Sequence, residues 1–240
     1  MYHQVPDPLH FADSIGGAGL APMRSRQAVI GVQAGEGPLI LRIEAYHKRY
    51  DELSLQTRDF RVVSGAIGSS RGVDVFYKGR LPFAAIEMRT ISSYLVARRS
   101  DPETGELVRA PFDVSSTHTI IAERGFGNGV RLGIAYRSAT GKPYTPIAGA
   151  TYDASRDVYI PTYGAAMSER FPSLRRFDVS VSRFRQLTPS LANVLYASVS
   201  NVFDRDNVQS WTYSRDYTQR VAVRSIFNRA IYFGASLIWQ

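Results

Sequence analysis

Four groups of residues have types and spacings that could do chemistry. Gly68-Ser69-Ser70-Arg71-Gly72 matches the G-x-S-x-G pattern, in which a strained strand-to-helix elbow exposes a nucleophilic serine. Here a strand pattern follows instead of a helix, and no His stands at a partner position, so the expected role is a flexible loop end. Gly125-Phe126-Gly127-Asn128-Gly129 has the glycine content of a phosphate cradle, but a cradle needs a helix N-terminus behind it. Asn-Gly between two strand patterns is a hairpin signal instead. His118 with Asp113 and Glu123 suggests a metal site or an acid–base pair. These three fall on or beside one strand with no second cluster, so His118 is expected to face the lumen or sit at a rim. Trp211, Tyr213, Arg215 and Tyr217 share one long connection. Aromatics and arginine are enriched at recognition surfaces, so these four are ligand-contact candidates. Packing of the loop, or a place in an aromatic girdle, is the equal alternative. No catalytic residue, metal or cofactor is expected.

The elements that must position these residues are strands. With 240 residues, 44% hydrophobic and 12% aromatic, the chain can bury a sizeable core. No run approaches the eighteen or so consecutive apolar residues of a spanning helix, so any membrane crossing must be by strands. The net charge of +8 comes from 29 Lys and Arg scattered singly, as at Arg42, Arg71, Arg89, Arg131 and Arg183. Dispersed charge points to solvated faces or a polar lumen and away from nucleic acid. With no Cys there is no disulfide or thiol chemistry. The opening Met1-Tyr2-His3-Gln4-Val5-Pro6-Asp7 has no basic n-region or apolar h-region, as expected of a cytoplasmic chain or one lacking its true beginning.

Period-two alternation recurs from residue 26 to the end, the mark of strands with two unlike faces. In 39–48, Leu39, Leu41, Ile43 and Ala45 oppose Arg42, Glu44, Tyr46 and Lys48. Val130, Leu132, Ile134 and Tyr136 oppose Arg131, Gly133, Ala135 and Arg137. Phe177, Val179 and Val181 oppose Asp178, Ser180 and Ser182. The pattern predicts about nine strands, near 26–34, 38–49, 70–79, 83–98, 114–125, 129–139, 172–186, 190–203 and 229–239. Segment 83–98 changes face around Glu87 to Arg89, and 114–125 lacks clean alternation.

Connections between these segments alternate short and long. The short ones are Ala34-Gly35-Glu36-Gly37, Gly79-Arg80-Leu81-Pro82, Asn128-Gly129 and Leu187-Thr188-Pro189, all rich in turn residues. The long ones are 50–69, 99–113, 140–171 and 204–228. Tight turns at one rim and long loops at the other describe an antiparallel up-and-down transmembrane β-barrel. The last strand then runs inward, with Phe233, Ala235, Leu237 and Trp239 on one face and an aromatic at the interface.

Several local patterns resemble one family, the TonB-dependent outer-membrane receptors, over nearly the whole chain. Leu20-Ala21-Pro22-Met23-Arg24-Ser25 leading into Gly31, then Glu44-Ala45-Tyr46-His47-Lys48-Arg49-Tyr50-Asp51-Glu52-Leu53, is similar to a mid-barrel strand pair. Ser70-Arg71-Gly72-Val73-Asp74 resembles the Arg-Gly-Val-Glu opening of a later strand. Thr140-Gly141-Lys142-Pro143-Tyr144-Thr145-Pro146 resembles a loop opening of the family, which adds Tyr144 to the ligand-contact candidates. Arg176-Phe177-Asp178-Val179 with Asn201-Val202-Phe203-Asp204 resembles the penultimate strands. Tyr232, Gly234, Leu237 and Trp239 resemble the C-terminal assembly signal of outer-membrane barrels, with Gln240 as a departure.

The resemblance implies energy-coupled uptake of a scarce ligand and no bond-breaking chemistry. Residues 1–240 would be the C-terminal portion of such a barrel, an incomplete wall of about nine strands without the plug domain. Implied partners are the lipid bilayer and lipopolysaccharide, the barrel assembly machinery, and the plug and TonB energy complex through an N-terminal part outside this sequence. Two rival readings stand beside it. One is a self-contained porin-like or enzymatic barrel, which predicts an even, closed strand count. The other is a soluble β-sandwich or lectin-like domain, which predicts a shared apolar core.

Overall fold

The computed structural model describes residues 2–4, 20–81, 84–225 and 228–239. Among them there is no α-helix, and the chain folds as antiparallel strands. In chain order these are β1 (Tyr2–Gln4), β2 (Met23–Ala34), β3 (Ile40–Gln56), β4 (Val62–Leu81), β5 (Ile86–Ser100) and β6 (Leu107–Arg109). There follow β7 (Ser116–Gly125), β8 (Val130–Ala139), β9 (Pro143–Tyr144), β10 (Ile147–Asp153), β11 (Val158–Tyr163) and β12 (Glu169–Arg170). The last are β13 (Leu174–Thr188), β14 (Leu191–Ser200), β15 (Val208–Tyr213), β16 (Arg220–Arg224) and β17 (Ala230–Trp239).

One sheet runs β1-β2-β3-β4-β5-β7-β8-β13-β14-β17, with β6 on the upper edge of β5. Its nine long strands are the nine that the alternation predicts, each paired with its neighbour in sequence order. The register settles the faces. Ile30, Ala45, Val73 and Tyr94 share a row, and so do Leu132, Val181, Ala197 and Phe233. The opposite face carries rows such as Gly31, Glu44, Asp74 and Ser93, or Glu123, Gly133, Ser180, Ser198 and Tyr232. From Tyr94 down to Ile86, β5 covers about 26 Å at roughly 3.3 Å per residue. That is close to the ~25 Å apolar band of an outer-membrane barrel.

Among the described residues no second layer covers the apolar face. The buried apolar residues are Leu55, Val62, Ala97, Ala110 and Ala192, all near the ends of strands. Ile30 is 74% exposed, Phe233 84% and Trp239 80%. The total surface is 16072 Å² for 26.7 kDa, whereas size scaling gives a compact soluble protein of that mass roughly 10,700 Å². Among the described residues there is no shared core of the kind a β-sandwich requires.

Several sequence expectations need correction. Residues 50–69 are not a loop: β3 and β4 rise as a tall hairpin whose connection is only 57–61, with bulges between Tyr50 and Leu53 and between Leu53 and Leu55. Bulges interrupt alternation, which is why the period-two pattern stops at Arg49 while pairing continues. The Gly68–Gly72 motif therefore lies inside β4 and is no loop end, with Ser70 buried. Segment 83–98 shows no change of face. Its ladders with β4 and β7 are unbroken, and Ile91 and Leu95 simply place apolar side chains on the polar face. The long connections at 140–173 and 201–229 carry hairpins of their own, β10–β11 and β15–β16.

The Asn128-Gly129 turn is as expected, with both residues at positive φ, 61° and 73°. Of the Gly79–Pro82 turn, Pro82 lies outside the described residues, as do Gln240 and nearly all of the opening segment. The two halves of the Arg176 and Asn201 pattern meet in space. The Asp178 carboxylate accepts from Arg137 Nη1 at 2.8 Å, Arg176 Nε at 2.7 Å and the Asn201 N–H at 2.9 Å. The Val202 N–H donates to the Phe177 carbonyl, and Phe177 packs on Phe203 at 5.5 Å.

Candidate ligand-facing loops

Above the sheet, the long connections are joined by side chains into a canopy. Tyr144 on β9 stacks on Phe171, just past β12, at 4.5 Å between centroids. Phe171 lies 6.5 Å from Trp211 on β15, and the Arg220 guanidinium sits 4.6 Å above the Trp211 ring. Arg220 Nη1 donates to the Tyr144 hydroxyl at 3.2 Å and lies 3.8 Å from the Glu169 carboxylate, to which the same hydroxyl donates at 2.5 Å. Burial raises the Tyr144 phenol above its ordinary pKa, and the Glu169 charge raises it further. The phenol therefore stays protonated and keeps donating. The Trp211 indole N–H is buried and has no acceptor with hydrogen-bond geometry among the described residues.

At the tips, Arg215 Nη2 donates to Asp157 Oδ2 and to the Asp157 carbonyl, both at 2.6 Å, bridging the β15–β16 and β10–β11 hairpins. Tyr152 donates to the other Asp157 oxygen at 2.7 Å, and these bonds hold the Asp157 carboxyl below its ordinary range. Tyr213 packs against Tyr217 at 5.9 Å within the same hairpin. On the other side, Arg58 at the β3–β4 tip stacks over Tyr163 at 4.4 Å, and its N–H donates to Glu103 at 2.7 Å.

The canopy is anchored at its base by one buried ion pair. Asp113, 2% exposed, meets Arg170 Nη2 at 2.9 Å, the Ser115 hydroxyl at 2.7 Å and the Ala97 N–H at 3.0 Å. Arg170 Nη1 donates to the carbonyls of Asp113 and Gly141. Burial alone would raise the Asp113 carboxyl, but the Ala97 N–H, Arg170 and Ser115 outweigh it and hold the pKa below the usual range.

Of the sequence candidates, Tyr144 and Trp211 are brought into one cluster, while Arg215, Tyr213 and Tyr217 lie at the tips and are engaged with other loop residues. Phe171, Glu169, Arg220, Asp157 and Arg170 went unnoticed in the sequence, because only pairing across two hairpins reveals their roles. His118 stands on the apolar face and not toward the lumen, since its ladder partners Ser92 and Ser138 share the face of Tyr94 and Tyr136, and it meets Ser92 through Nδ1 at 3.0 Å. Glu123 lies 3.8 Å from Arg131 on the opposite face, and Asp113 is held by Arg170. The three do not converge, and no group of His, Asp and Glu among the described residues could hold a metal. What the canopy offers is stacking surface, cations and directed donors, a chemistry of binding.

A single-layered antiparallel sheet with tight turns at one rim and a side-chain canopy at the other has the form of one section of a β-barrel wall. Solved structures place it more narrowly. No protein-family model matches the chain, and no curated protein matches it. The chain is similar in fold to the ferric-catecholate import receptor Fiu of Escherichia coli K12, with TM-score 0.60, 13% identity and coverage of 91% of this chain and 28% of that one. It is similar to the outer-membrane ferripyoverdine receptor of Pseudomonas aeruginosa, with TM-score 0.61, 14% identity and coverage of 93% and 28%. The FrpB iron transporter of Neisseria meningitidis gives 0.59, 16%, 92% and 32%. These are TonB-dependent outer-membrane receptors, the family that the sequence patterns resemble, and the match is to their barrel part. This chain spans about a third or less of their length.

Proposed function

We propose that this chain forms the C-terminal portion of the barrel wall of a TonB-dependent outer-membrane receptor, which takes up a scarce ligand at the expense of inner-membrane energy. The plug and the energy-coupling box belong to the rest of such a receptor. The observation that carries this reading is the open, two-faced sheet whose long connections are cross-linked by side chains at one rim. An apolar face with nothing packed on it is stable against lipid, and a polar face lined by Glu123, Arg137, Asp178 and serines suits a hydrated lumen touching a plug. Tyr144, Phe171, Trp211 and Arg220 meet the ligand from outside with ring faces and a guanidinium, and Arg215, Tyr213 and Tyr217 form the outer lip. The ligand is of siderophore, vitamin or oligosaccharide type, and no residue breaks a bond. Tyr232, Gly234, Leu237 and Trp239 on β17 serve as the signal read by the barrel assembly machinery.

The test is made on the full-length gene product. It should fractionate with the outer membrane and shift mobility on heating before electrophoresis, and its deletion should abolish growth on one scarce nutrient from a panel of ferric chelates, cobalamin and oligosaccharides. Recovery in the soluble fraction overturns the barrel reading. Outer-membrane location with growth unchanged across the panel overturns the uptake reading alone.

A further inference from the structure

The polar face carries a like-charge pair whose counter-ion reaches out of the wall. Arg137 and Arg176 stand directly opposite each other on the β8–β13 ladder, an arrangement that destabilises a sheet unless an anion answers it. Asp178 answers both, with Arg137 on Oδ2 and Arg176 on Oδ1, and the same Oδ1 accepts the Asn201 N–H. Asn201 is buried and takes a positive φ of 51°, which turns the chain out of the β14 ladder. Beside the top of β13, the residues that follow are held by the Val202 N–H and by two asparagine side chains. Asn201 closes a ring with Arg205, donating from Nδ2 to the Arg205 carbonyl at 3.0 Å and accepting the Arg205 N–H at 3.2 Å. Asn207, also buried, accepts the Arg175 N–H of β13 at 3.0 Å, and its own carbonyl accepts the Ser225 N–H at 2.9 Å.

Both ends of the β15–β16 hairpin therefore meet at Asn207, and Trp211 stands four residues beyond it, about 13 Å up β15 at strand spacing. A carboxylate that served only to neutralise Arg137 and Arg176 would belong to the wall alone. The shared Oδ1 makes it the first link of a chain of contacts that runs through Asn201, Arg205 and Asn207 to the base of the hairpin. We propose that Asp178 is a positioning residue, which from the lumen side of the wall fixes where the Trp211 hairpin stands. Its bearing on uptake rests on reading this hairpin as ligand-facing. The other arm of the canopy, 140–171, has its own hold in Arg170 and Asp113. The two arms are thus set separately from below and meet above, where Trp211 and Arg220 reach Phe171 and Tyr144.

The test uses the full-length gene product in a non-ionic detergent, with hydrogen exchange resolved by peptide. Asp178→Ala should speed exchange at 201–229 by roughly ten- to hundredfold, the consequence of leaving a buried donor unpaired, while 140–171 and the β8 and β17 amides keep their rates. Asp178→Asn keeps an oxygen for the Asn201 N–H and loses the charge, so it should restore most of the protection. On whichever member of the panel of ferric chelates, cobalamin and oligosaccharides supports growth, Asp178→Ala should need a higher concentration for half-maximal growth at an unchanged maximal rate, because fewer molecules hold the hairpin in place. Unchanged exchange at 201–229 in folded Asp178→Ala overturns the proposal, and so does equal loss of protection in the Asn and Ala variants, which would trace the effect to charge alone. Equal acceleration of 201–229 and 140–171, or a loosened hairpin with growth unaltered, overturns it as well. If Asp178→Ala fails to fold, Asn207→Ala leaves the arginine pair and its carboxylate in place and should loosen the same segment; its failure to do so is equally decisive. Growth on no member of the panel sinks the uptake reading, and exchange still decides whether Asp178 holds the hairpin.

Discussion

Below the row of Tyr94, neighbouring strands meet almost residue for residue: the ladders β5–β7, β7–β8, β8–β13 and β14–β17 run without a register shift, and β13–β14 shifts once, at its lower end between Gln186 and Thr188. Above it, β10–β11, β15–β16 and the upper part of β3–β4 all carry shifts, and the loops meet one another through side chains. Wall and canopy are thus held by different forces. Backbone hydrogen bonds fix the wall whatever the side chains, so it tolerates polar or apolar residues as long as the alternation is kept. The canopy rests on a few charge-assisted bonds and ring contacts, each of which can be removed singly. A wall so built holds shape, and a canopy so built can yield at one contact while the wall beneath it stands.

The sharpest way to break this contrast is at Arg170. Arg170→Met leaves Asp113 buried without its cation and costs the canopy about 3–5 kcal/mol, the usual penalty for breaking a buried pair from one side. Hydrogen exchange should show faster exchange at 107–115 and 140–171 with the β13–β14–β17 amides unchanged. If wall and canopy lose protection together, they are one cooperative unit and the contrast fails. Acid should act at the same point. The Asp113 pKa is lowered in the folded protein, so its contribution is fully present above the ordinary carboxylate value of about 3.9 and is lost as pH falls through the depressed one. Exchange in these loops should be flat from neutral pH down to that value, after correction for intrinsic rates, and should rise only below it.

The wall has its own weak points, of the opposite kind. Tyr46 crosses Gly72 and Tyr196 crosses Gly234 on the polar face, so closely that a Cβ on either glycine would come within 2.5 Å of a tyrosine ring or hydroxyl. Gly72→Ala and Gly234→Ala should each lower the stability of the wall by about 1–3 kcal/mol through overpacking. Urea unfolding in detergent measures this, and loop exchange should stay as it was at denaturant concentrations below the transition.

That division also explains what could be read in advance. The nine strands, the faces of all but 83–98 and 114–125, and the Asn128-Gly129 turn follow from alternation and turn chemistry over a few neighbouring residues. The tall β3–β4 hairpin escaped because Glu52 takes a positive φ of 57° at the bulge and throws the pattern out of phase. Of the canopy, Trp211 stood out by type and Tyr144 by the family-like loop opening around it. Arg220 and Asp157 did not, since each is defined by a partner 76 or 58 residues away, Tyr144 or Arg215. Period-two patterns encode pairing between sequence neighbours and carry no information about which loop tips will touch.

A smaller effect tests the Trp211 cluster. The chain has two tryptophans, Trp211 and Trp239. In a Trp239→Phe background, fluorescence reports Trp211 alone. Removing the guanidinium with Arg220→Gln should shift emission to the red and cost about 0.5–1 kcal/mol, the value of a cation–π contact at a partly exposed site. An unshifted spectrum would mean that Phe171 and Tyr144 hold the indole without Arg220.

The smallest effect lies at the tips. Arg215 and Asp157 are about 69% and 70% exposed, so their bond adds little to stability despite its 2.6 Å length, and salt should loosen it. Because the chain has no cysteine, spin labels can be placed at Ser155→Cys and Thr218→Cys without background. The distance distribution between the β10–β11 and β15–β16 tips should be narrow in dilute buffer. It should broaden at about 1 M salt, where the screening length falls to roughly 3 Å, and broaden equally with Arg215→Gln. Broadening by the substitution but not by salt would place the restraint in the bond to the Asp157 carbonyl, which carries no net charge. A distribution indifferent to both would move the hold on these tips to the aromatic cluster beneath them, and the canopy would then be closed from its centre, not from its lip.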